Sequence, residues 1–479
     1  MFSRWARVRA ATVVAAAAAA AVGLAPTAVA AVGDGGPVSP IAATWTPSLA
    51  TSGTDGSVER IRKIEQCGST MYAVGLFSSI KRYTATYARN NAFSFNASTG
   101  VMTNWAPNVN GQVNSIVLSA DCSTAYLGGT FTSINGTAAK NIAAVSTTTG
   151  VVVTAFARTA GGKVNTLARS GTHLLVGGNF TSINGSTKKY MVSLNLTTGK
   201  DDGYVNLALT GNYVYTQDDG RQSGGNSTNV YNFAPSPDGR RLLAMGVFTS
   251  VGGQARRQIV MLDLGATSVT VNPWYSQDFD LNCHAVEPFY LQDATWSPDT
   301  SKVYVATTGY KAATGVGFNT SGPRGDLTAP FTNICDAAAA YPSGPAVQRH
   351  NWINWTGCDS LYSVAADNSA VYTGGHQRWA DSPVQCDGNG NGTKVDSPGM
   401  SGLTPTTGNS ILDGLGPAPD GDLVNRYSKG RGLGATDMLI TSAGLWIASD
   451  NAQNVDACGK TSTGAIARGH QGLCFLPYP

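Results

Sequence analysis

The chain is short of charge, of glutamate, of histidine and of helical signal. Only 13% of its 479 residues are charged. Glutamate occurs at Glu59, Glu65 and Glu287 alone. That composition excludes the helix-rich, strongly charged proteins in which Glu and Lys dominate exposed faces. The five histidines, His173, His284, His350, His376 and His470, show no metal-ligand spacing, and the eight cysteines show none either, so no zinc site is expected. A nucleophile elbow, a P-loop and a zinc-protease helix are all missing from the sequence. Beyond the first thirty residues no apolar run approaches membrane-spanning length.

Those first residues read as a secretory signal. Arg4, Arg7 and Arg9 precede an apolar run from Ala10 to Leu24, and Ala28-Val29-Ala30 offers the small-x-small pattern of a cleavage site. Residues 1–30 are therefore assigned to a signal peptide and 31–479 to one secreted, extracellular domain. Without the signal's arginines the chain carries 29 basic and 29 acidic residues. A neutral balance gives no electrostatic pull toward nucleic acid or anionic lipid, so neither is expected as a partner. The sequence leaves the oligomeric state open.

All eight cysteines lie in the secreted part, an even number in an oxidising compartment. Cys67 and Cys122 occupy the same turn in consecutive repeats, Gln-Cys-Gly-Ser-Thr and Asp-Cys-Ser-Thr, and are expected to bridge. Cys458 and Cys474 bracket a Gly/Ser/Thr-rich loop. The rest pair most simply in order, Cys283 with Cys335 and Cys358 with Cys386.

What is abundant is glycine, 57 residues, and a repeat. Seven times a short apolar strand follows a tight polar turn and, in most copies, runs into Gly-Gly or a near equivalent. Examples are Tyr126-Leu-Gly-Gly129, Leu174-Leu-Val-Gly-Gly178 and Val371-Tyr-Thr-Gly-Gly375. Successive copies are 49 to 74 residues apart. Each unit holds further strands, as in Val113–Leu118, the Gly-Gly strand, Asn141–Ser146 and a fourth after Thr149-Gly150. Later units turn through Ser236-Pro-Asp-Gly239 and Ser297-Pro-Asp299, where Pro and Asp favour tight reversal. The expectation is an all-β, seven-bladed β-propeller of four-stranded antiparallel blades. Insertions are expected near 203–230, 309–345 and 380–430. The last unit ends at Leu473–Leu476 with no outer strand left, while Thr44-Trp-Thr-Pro47 repeats the outer-strand signature Asn104-Trp-Ala-Pro107. The N-terminal segment is therefore expected to complete the last blade and hide two sheet edges.

The Gly-Gly-x-Phe-Thr-x-x-x-Gly units resemble secreted bacterial propellers built from the delta-60 repeat, common in actinobacteria. The resemblance extends to Cys335-Asp-Ala-Ala-Ala-Ala-Tyr341, Gly374-Gly-His-Gln-Arg-Trp379 and Trp446-Ile-Ala-Ser-Asp450, and covers nearly all of the secreted chain. It implies the fold; it brings no settled biochemical activity. Sialidase-type Asp boxes and the copper-ligand set of propeller oxidases are both missing.

In a propeller the first strand of each blade lines the central channel. An oxygen-bearing residue stands near the start of each such strand: Glu59, Asn114, Asn165, Asn232, Asp293, Asp359 and Asp437. These form the candidate binding set, either as a ring of oxygens for a cation or for sugar hydroxyls, or as acceptors of backbone N–H groups that serve the scaffold. Arg378 and Trp379 are added as a ligand-facing pair, with stacking of the one on the other as the alternative. Glu287, Asp293 and His376 are the candidates for an acid/base set, with His284 close in sequence to the first two. Asp387, Asn389, Asn391 and Asp396 resemble the start of a calcium loop, but Pro398 stands where the closing acid belongs, so calcium is the one candidate ion and no other cofactor is expected. Trp105, Tyr215, Tyr231, Trp274, Tyr310 and Trp352–Trp355 are candidate sugar platforms or inter-blade packing. Three functions remain open: a carbohydrate- or protein-binding propeller, a glycan-active hydrolase or lyase, and a structural module of an extracellular assembly.

Overall fold

The computed structural model describes residues 33–51, 58–216, 222–281, 283, 289–309, 334–357, 359–382, 394–417, 421–428, 434–451 and 471–479. The signal segment, His284, Glu287, Tyr310, Cys358, Cys386, Asp387, Asn389, Asn391, Cys458 and His470 lie outside the described residues. No α-helix occurs among those described, and none of their helical structure is long and apolar enough to cross a membrane. A 3-10 turn spans Gln277–Asp280. The protein is all-β, built of small, mainly antiparallel sheets.

Seven of these sheets follow the repeat. Sheet 1 holds β1 (Arg60–Cys67), β2 (Thr70–Leu76) and β3 (Ala92–Asn96). Sheet 2 holds β4 (Gln112–Leu118), β5 (Thr124–Thr130) and β6 (Ile142–Ser146). Sheet 3 holds β7 (Lys163–Ser170), β8 (His173–Asn179) and β9 (Met191–Asn195). Sheet 4 holds β10 (Asn229–Pro235), β11 (Arg241–Val247), β12 (Ile259–Leu264) and β13 (Val269–Val271). Sheet 5 holds β14 (Leu291–Trp296), β15 (Lys302–Thr307), β16 (Ala337–Pro342) and β17 (Trp352–Trp355). Sheet 6 holds β18 (Leu361–Ala366), β19 (Val371–Gly375) and β20 (Met400–Leu403). Sheet 7 holds β21 (Asp437–Thr441), β22 (Gly444–Ala448) and β23 (Leu473–Pro477). In each, neighbours in sequence are neighbours in space and run antiparallel.

Four full strands appear only in sheets 4 and 5. In sheets 1, 2, 3 and 6 the expected fourth strand shrinks to one bridge, Phe95 to Met102, Val145 to Val152, Leu194 to Asp201 and Leu403 to Ser410. A shared turn precedes each bridge. Gly100, Gly150, Gly199 and Gly408 all adopt φ near +70° and donate their N–H to the carbonyl four residues back. Positive φ is why glycine closes each of these turns. The chain then leaves the sheet after one pairing.

The recurring glycine of the second strand has a steric cause. A Cβ on Gly129 would lie 2.2 Å from the Gln112 carbonyl oxygen, and one on Gly178 would lie 2.2 Å from that of Lys163. The first strand presses its backbone onto the second at this point, and only hydrogen fits between them.

The second strands are buried almost throughout, being covered on both faces. Seven hydrophobic clusters lie between the sheets, one at each junction of consecutive sheets and the seventh joining sheet 7 to sheet 1. First strands likewise meet in order, β1 with β4, β4 with β7, and onward until β21 meets β1. The N-terminal segment lies along β23: Ala43 N–H donates to Phe475 O at 2.9 Å and Ser39 N–H to Pro477 O at 2.7 Å. Trp45 packs against Trp446 and Phe475 with ring centroids 5.8 and 5.6 Å apart.

Disulfides join Cys67 to Cys122, as the repeats suggested, and Cys283 to Cys335, as pairing in order suggested. Cys474 is also disulfide-bonded, and its expected partner Cys458 lies outside the described residues. Two of the expected insertions are narrower than their sequence bounds. Residues 337–342 of the stretch 309–345 are a sheet strand, as are 400–403 of the stretch 380–430. Both strands were masked in the sequence by unusual composition, Ala-Ala-Ala-Ala and Met-Ser-Gly-Leu. Pieces of the last stretch form a separate small sheet, in which Val395–Asp396 pairs with Trp379–Ala380 and, in parallel, with Leu423–Val424.

Candidate ligand site where the first strands converge

The site begins with a defect in pairing. In six sheets the first strand carries one extra residue against the second: Arg62, Asn114, Asn165, Tyr231, Gln292 and Tyr362. Thr436 holds this place in sheet 7, its N–H reaching the Ala448 carbonyl at 2.8 Å just ahead of the Asp437–Ala448 pair. A β-bulge re-aims the side chain it carries. All seven bulge residues, and six of the seven residues that follow them, line one polar cavity of about 410 Å³.

The same two positions stitch each sheet to the next. Bulge side chains donate to a carbonyl of the neighbouring first strand: Asn114 to Val164 O and Asn165 to Val230 O, both at 2.8 Å, with Tyr231 to Leu291 O and Thr436 to Ile61 O. The following residues accept a backbone N–H from the neighbour. Ser115 accepts from Leu167 at 3.0 Å, Thr166 from Phe233 at 3.2 Å, Asp293 from Val364 at 2.9 Å and Asp437 from Ile64 at 2.9 Å. Asn232 donates instead to Asp293 Oδ1 at 2.7 Å.

Seen from this register, the seven oxygen-bearing residues read from the sequence are three sets. Asn114 and Asn165 are bulge residues; Asn232, Asp293 and Asp437 come one later; Glu59 and Asp359 come three before Arg62 and Tyr362. The first five line the cavity, whereas Glu59 and Asp359 do not. Glu59 accepts from Thr51 and from the Ser78 N–H at 2.9 Å and hydroxyl at 2.8 Å, at the edge of a separate groove between sheets 1 and 2. Asp359 accepts from Arg378 Nε at 2.6 Å. The cavity-lining residues that sequence reasoning missed include the bulge residues Arg62, Gln292, Tyr362 and Thr436 and the cations Lys63 and Lys163. A signal for them exists: an aliphatic residue precedes each bulge (Ile61, Val113, Val164, Val230, Leu291, Leu361) and gives a better alignment point than the Asx residue.

The cavity is of mixed charge. Lys63 Nζ donates to Asp437 Oδ1 at 2.8 Å. Burial draws the Lys63 ammonium down, but the charge and hydrogen bond of Asp437 outweigh it and hold it above the ordinary lysine value. Burial pushes Asp293 up to about 7, against the bonds from Val364 and Ala294 and the charge of Lys63. Glu65, also on β1, is raised by burial to about 7. Arg62 and Lys163 are both held below their ordinary values, by burial first; Arg60 then acts on Arg62, and Arg62 on Lys163.

The remaining candidates sit elsewhere. The Arg378 guanidinium stacks 4.2 Å from the Trp379 ring centre, the packing alternative for this pair. His376 Nδ1 faces the Tyr362 hydroxyl at 3.4 Å, behind the cavity wall. Asp396 lies in the small sheet, apart from the described cavity lining, and no three His, Cys, Asp or Glu side chains are grouped for a metal among the described residues. Trp105, Trp274, Trp352 and Trp355 are buried and serve packing; Tyr231 alone of the described aromatic platforms reaches the cavity. No protein-family model matches the chain, and no curated protein matches it.

Proposed function

We propose that the chain is a secreted seven-bladed β-propeller of the delta-60 repeat type that binds a carbohydrate or another extracellular ligand at the mouth of its central channel, without transforming it. The cyclic order of first-strand contacts, the seven inter-sheet clusters and the N-terminal segment lying on β23 support the ring. The disulfides support an oxidising compartment. One observation carries the binding reading: a polar cavity is lined from every repeat, and its carboxylates are committed to the scaffold. Both Asp437 oxygens and both Asp293 oxygens already accept hydrogen bonds. What faces a ligand is a set of amides, hydroxyls, aromatic rings and cations, the groups that recognise sugars.

A second reading has its own support. A carboxyl titrating at about 7 in a polar cavity suits general acid/base catalysis on a glycan. A glycan array with the secreted form, followed by product analysis on each hit, separates the two. Retention of intact ligand supports binding; cleavage products that disappear in Asp293→Asn support the enzyme; a blank array removes the saccharide reading altogether.

A further inference from the structure

Among the described residues, two cations at this cavity have no ion-pair partner. Arg62 and Lys163 both line it, on the first strands of sheets 1 and 3. Among the described residues neither forms an ion pair, whereas Lys63 beside them is paired with Asp437. The Arg62 Nε–H is buried and makes no hydrogen bond. Arg62 is half-buried and Lys163 exposed, on two different sheets that both contribute to the one cavity. A buried donor left unmade is unfavourable, and an oxyanion in the cavity would supply its acceptor and meet a second cation, Lys163, on the same lining. The same cavity is lined by Gln292, Tyr231 and Tyr362, an amide and two rings that suit hydroxyls and the apolar face of a pyranose.

We propose that the ligand of this cavity is an acidic saccharide, whose carboxylate or sulfate is held by the cavity cations Arg62 and Lys163 while its ring lies against the tyrosines. The proposal rests on the saccharide-binding reading above and goes beyond it in fixing the ligand's charge. It runs opposite to the cation-binding alternative read from the sequence for the ring of oxygens, because Asp437 is neutralised by Lys63 and Asp293 is held by three N–H groups.

The test is calorimetric titration of the secreted protein with four probes of defined chemistry: a uronic-acid oligosaccharide, a sulfated oligosaccharide, a neutral oligosaccharide of the same length, and sodium sulfate. One acidic oligosaccharide is expected to bind. Arg62→Gln combined with Lys163→Gln is expected to weaken it roughly 10- to 100-fold, as loss of hydrogen bonds to a charged group does. The melting temperature of that variant should not fall, since among the described residues neither side chain forms an ion pair. Should the variant fold poorly, the wild type decides: affinity for the acidic probe falls with added sodium chloride and that for the neutral probe does not. Equal affinity for neutral and acidic probes overturns the inference and leaves the saccharide reading intact. Unchanged binding in the double variant, or a flat salt dependence, overturns it too. Sulfate binding as tightly as the sulfated oligosaccharide overturns it in favour of a small-anion site. Failure of all three oligosaccharides overturns the reading beneath it.

Discussion

Asp437 and Lys63 tie the last sheet to the first: Lys63 Nζ donates to Oδ1 at 2.8 Å while the Ile64 N–H donates to Oδ2 at 2.9 Å. One carboxylate thus holds both a side chain and the backbone of β1. Asp437→Ala removes both bonds and leaves a half-buried ammonium without its countercharge. It should cost about 2–4 kcal/mol, scaled down from a fully buried pair because Lys63 is partly exposed. Asp437→Asn keeps one acceptor and should cost about half as much. Asn232 occupies the same register position and shows that an amide fits there. Urea unfolding of the two variants checks the order, and an Asp437→Ala cost within error of zero would reject the stitch.

Asp293 makes stability depend on pH. Its carboxyl is lifted from 3.8 to about 7 by burial, so between these values the folded state holds a proton that the unfolded state has released. The folded state then binds more protons, and stability falls as pH rises through that window. Glu65, lifted from 4.5 to about 7, adds a slope of the same sign. Asp293→Asn should flatten much of the fall. It should also lower the plateau by about 1–3 kcal/mol, since an amide nitrogen facing the Val364 N–H leaves that donor unmade. Thermal melting across this pH range, on wild type and variant, measures both effects.

The recurring glycines divide into two classes with different sensitivities. Gly129→Ala drives a methyl into the Gln112 carbonyl, 2.2 Å away, and should cost about 3 kcal/mol or more. Gly136 has φ +77° and open space around it, so Gly136→Ala should cost only about 1 kcal/mol. Equal costs would show that the bulge relaxes and would remove the steric account of the Gly-Gly motif.

Calcium should not matter to the cavity. Of the carboxylates lining it, Asp437 is paired with Lys63 and Asp293 is saturated with N–H donors. Melting curves with calcium and with chelator should coincide. A chelator-induced drop that scales with occupancy would restore an ion site.

The sequence displayed the repeat because glycine is forced by a backbone contact, and forced residues recur. It displayed the turns for the same reason, since the positive φ of Gly100, Gly150 and Gly199 admits little else. The bulge was hidden. An extra residue in one strand leaves no compositional mark, so aligning on Asn or Asp slid Asn232, Asp293 and Asp437 one place from Asn114 and Asn165. That slip concealed Arg62, Lys63, Gln292 and Tyr362 and, with Lys163 also unread, much of the charge of the site. The reduced fourth strands were also beyond reach, because a strand and a single bridge share one hydrophobic pattern over so few residues.

The N-terminal segment offers the strongest test of the proposed ring. Ser39 and Ala43 donate to the outer edge of β23, and Leu49 N–H donates to Gln471 O at 2.7 Å, so the segment is tied at three points along its length. Trp45 adds aromatic contacts with Trp446 and Phe475, which belong to the cluster shared by sheets 7 and 1. Removing residues 31–50 strips the cover from β23 and opens that cluster to water. In a ring whose neighbours support one another, the loss should spread, lowering the single melting transition of the whole protein instead of fraying one end. Trp45→Ala should act in the same direction by about 2–3 kcal/mol, a discount on full burial because the indole is partly exposed. Calorimetry of both variants decides the matter: an unchanged main transition, with only a small low-temperature shoulder, would mean that sheet 7 stands without this segment.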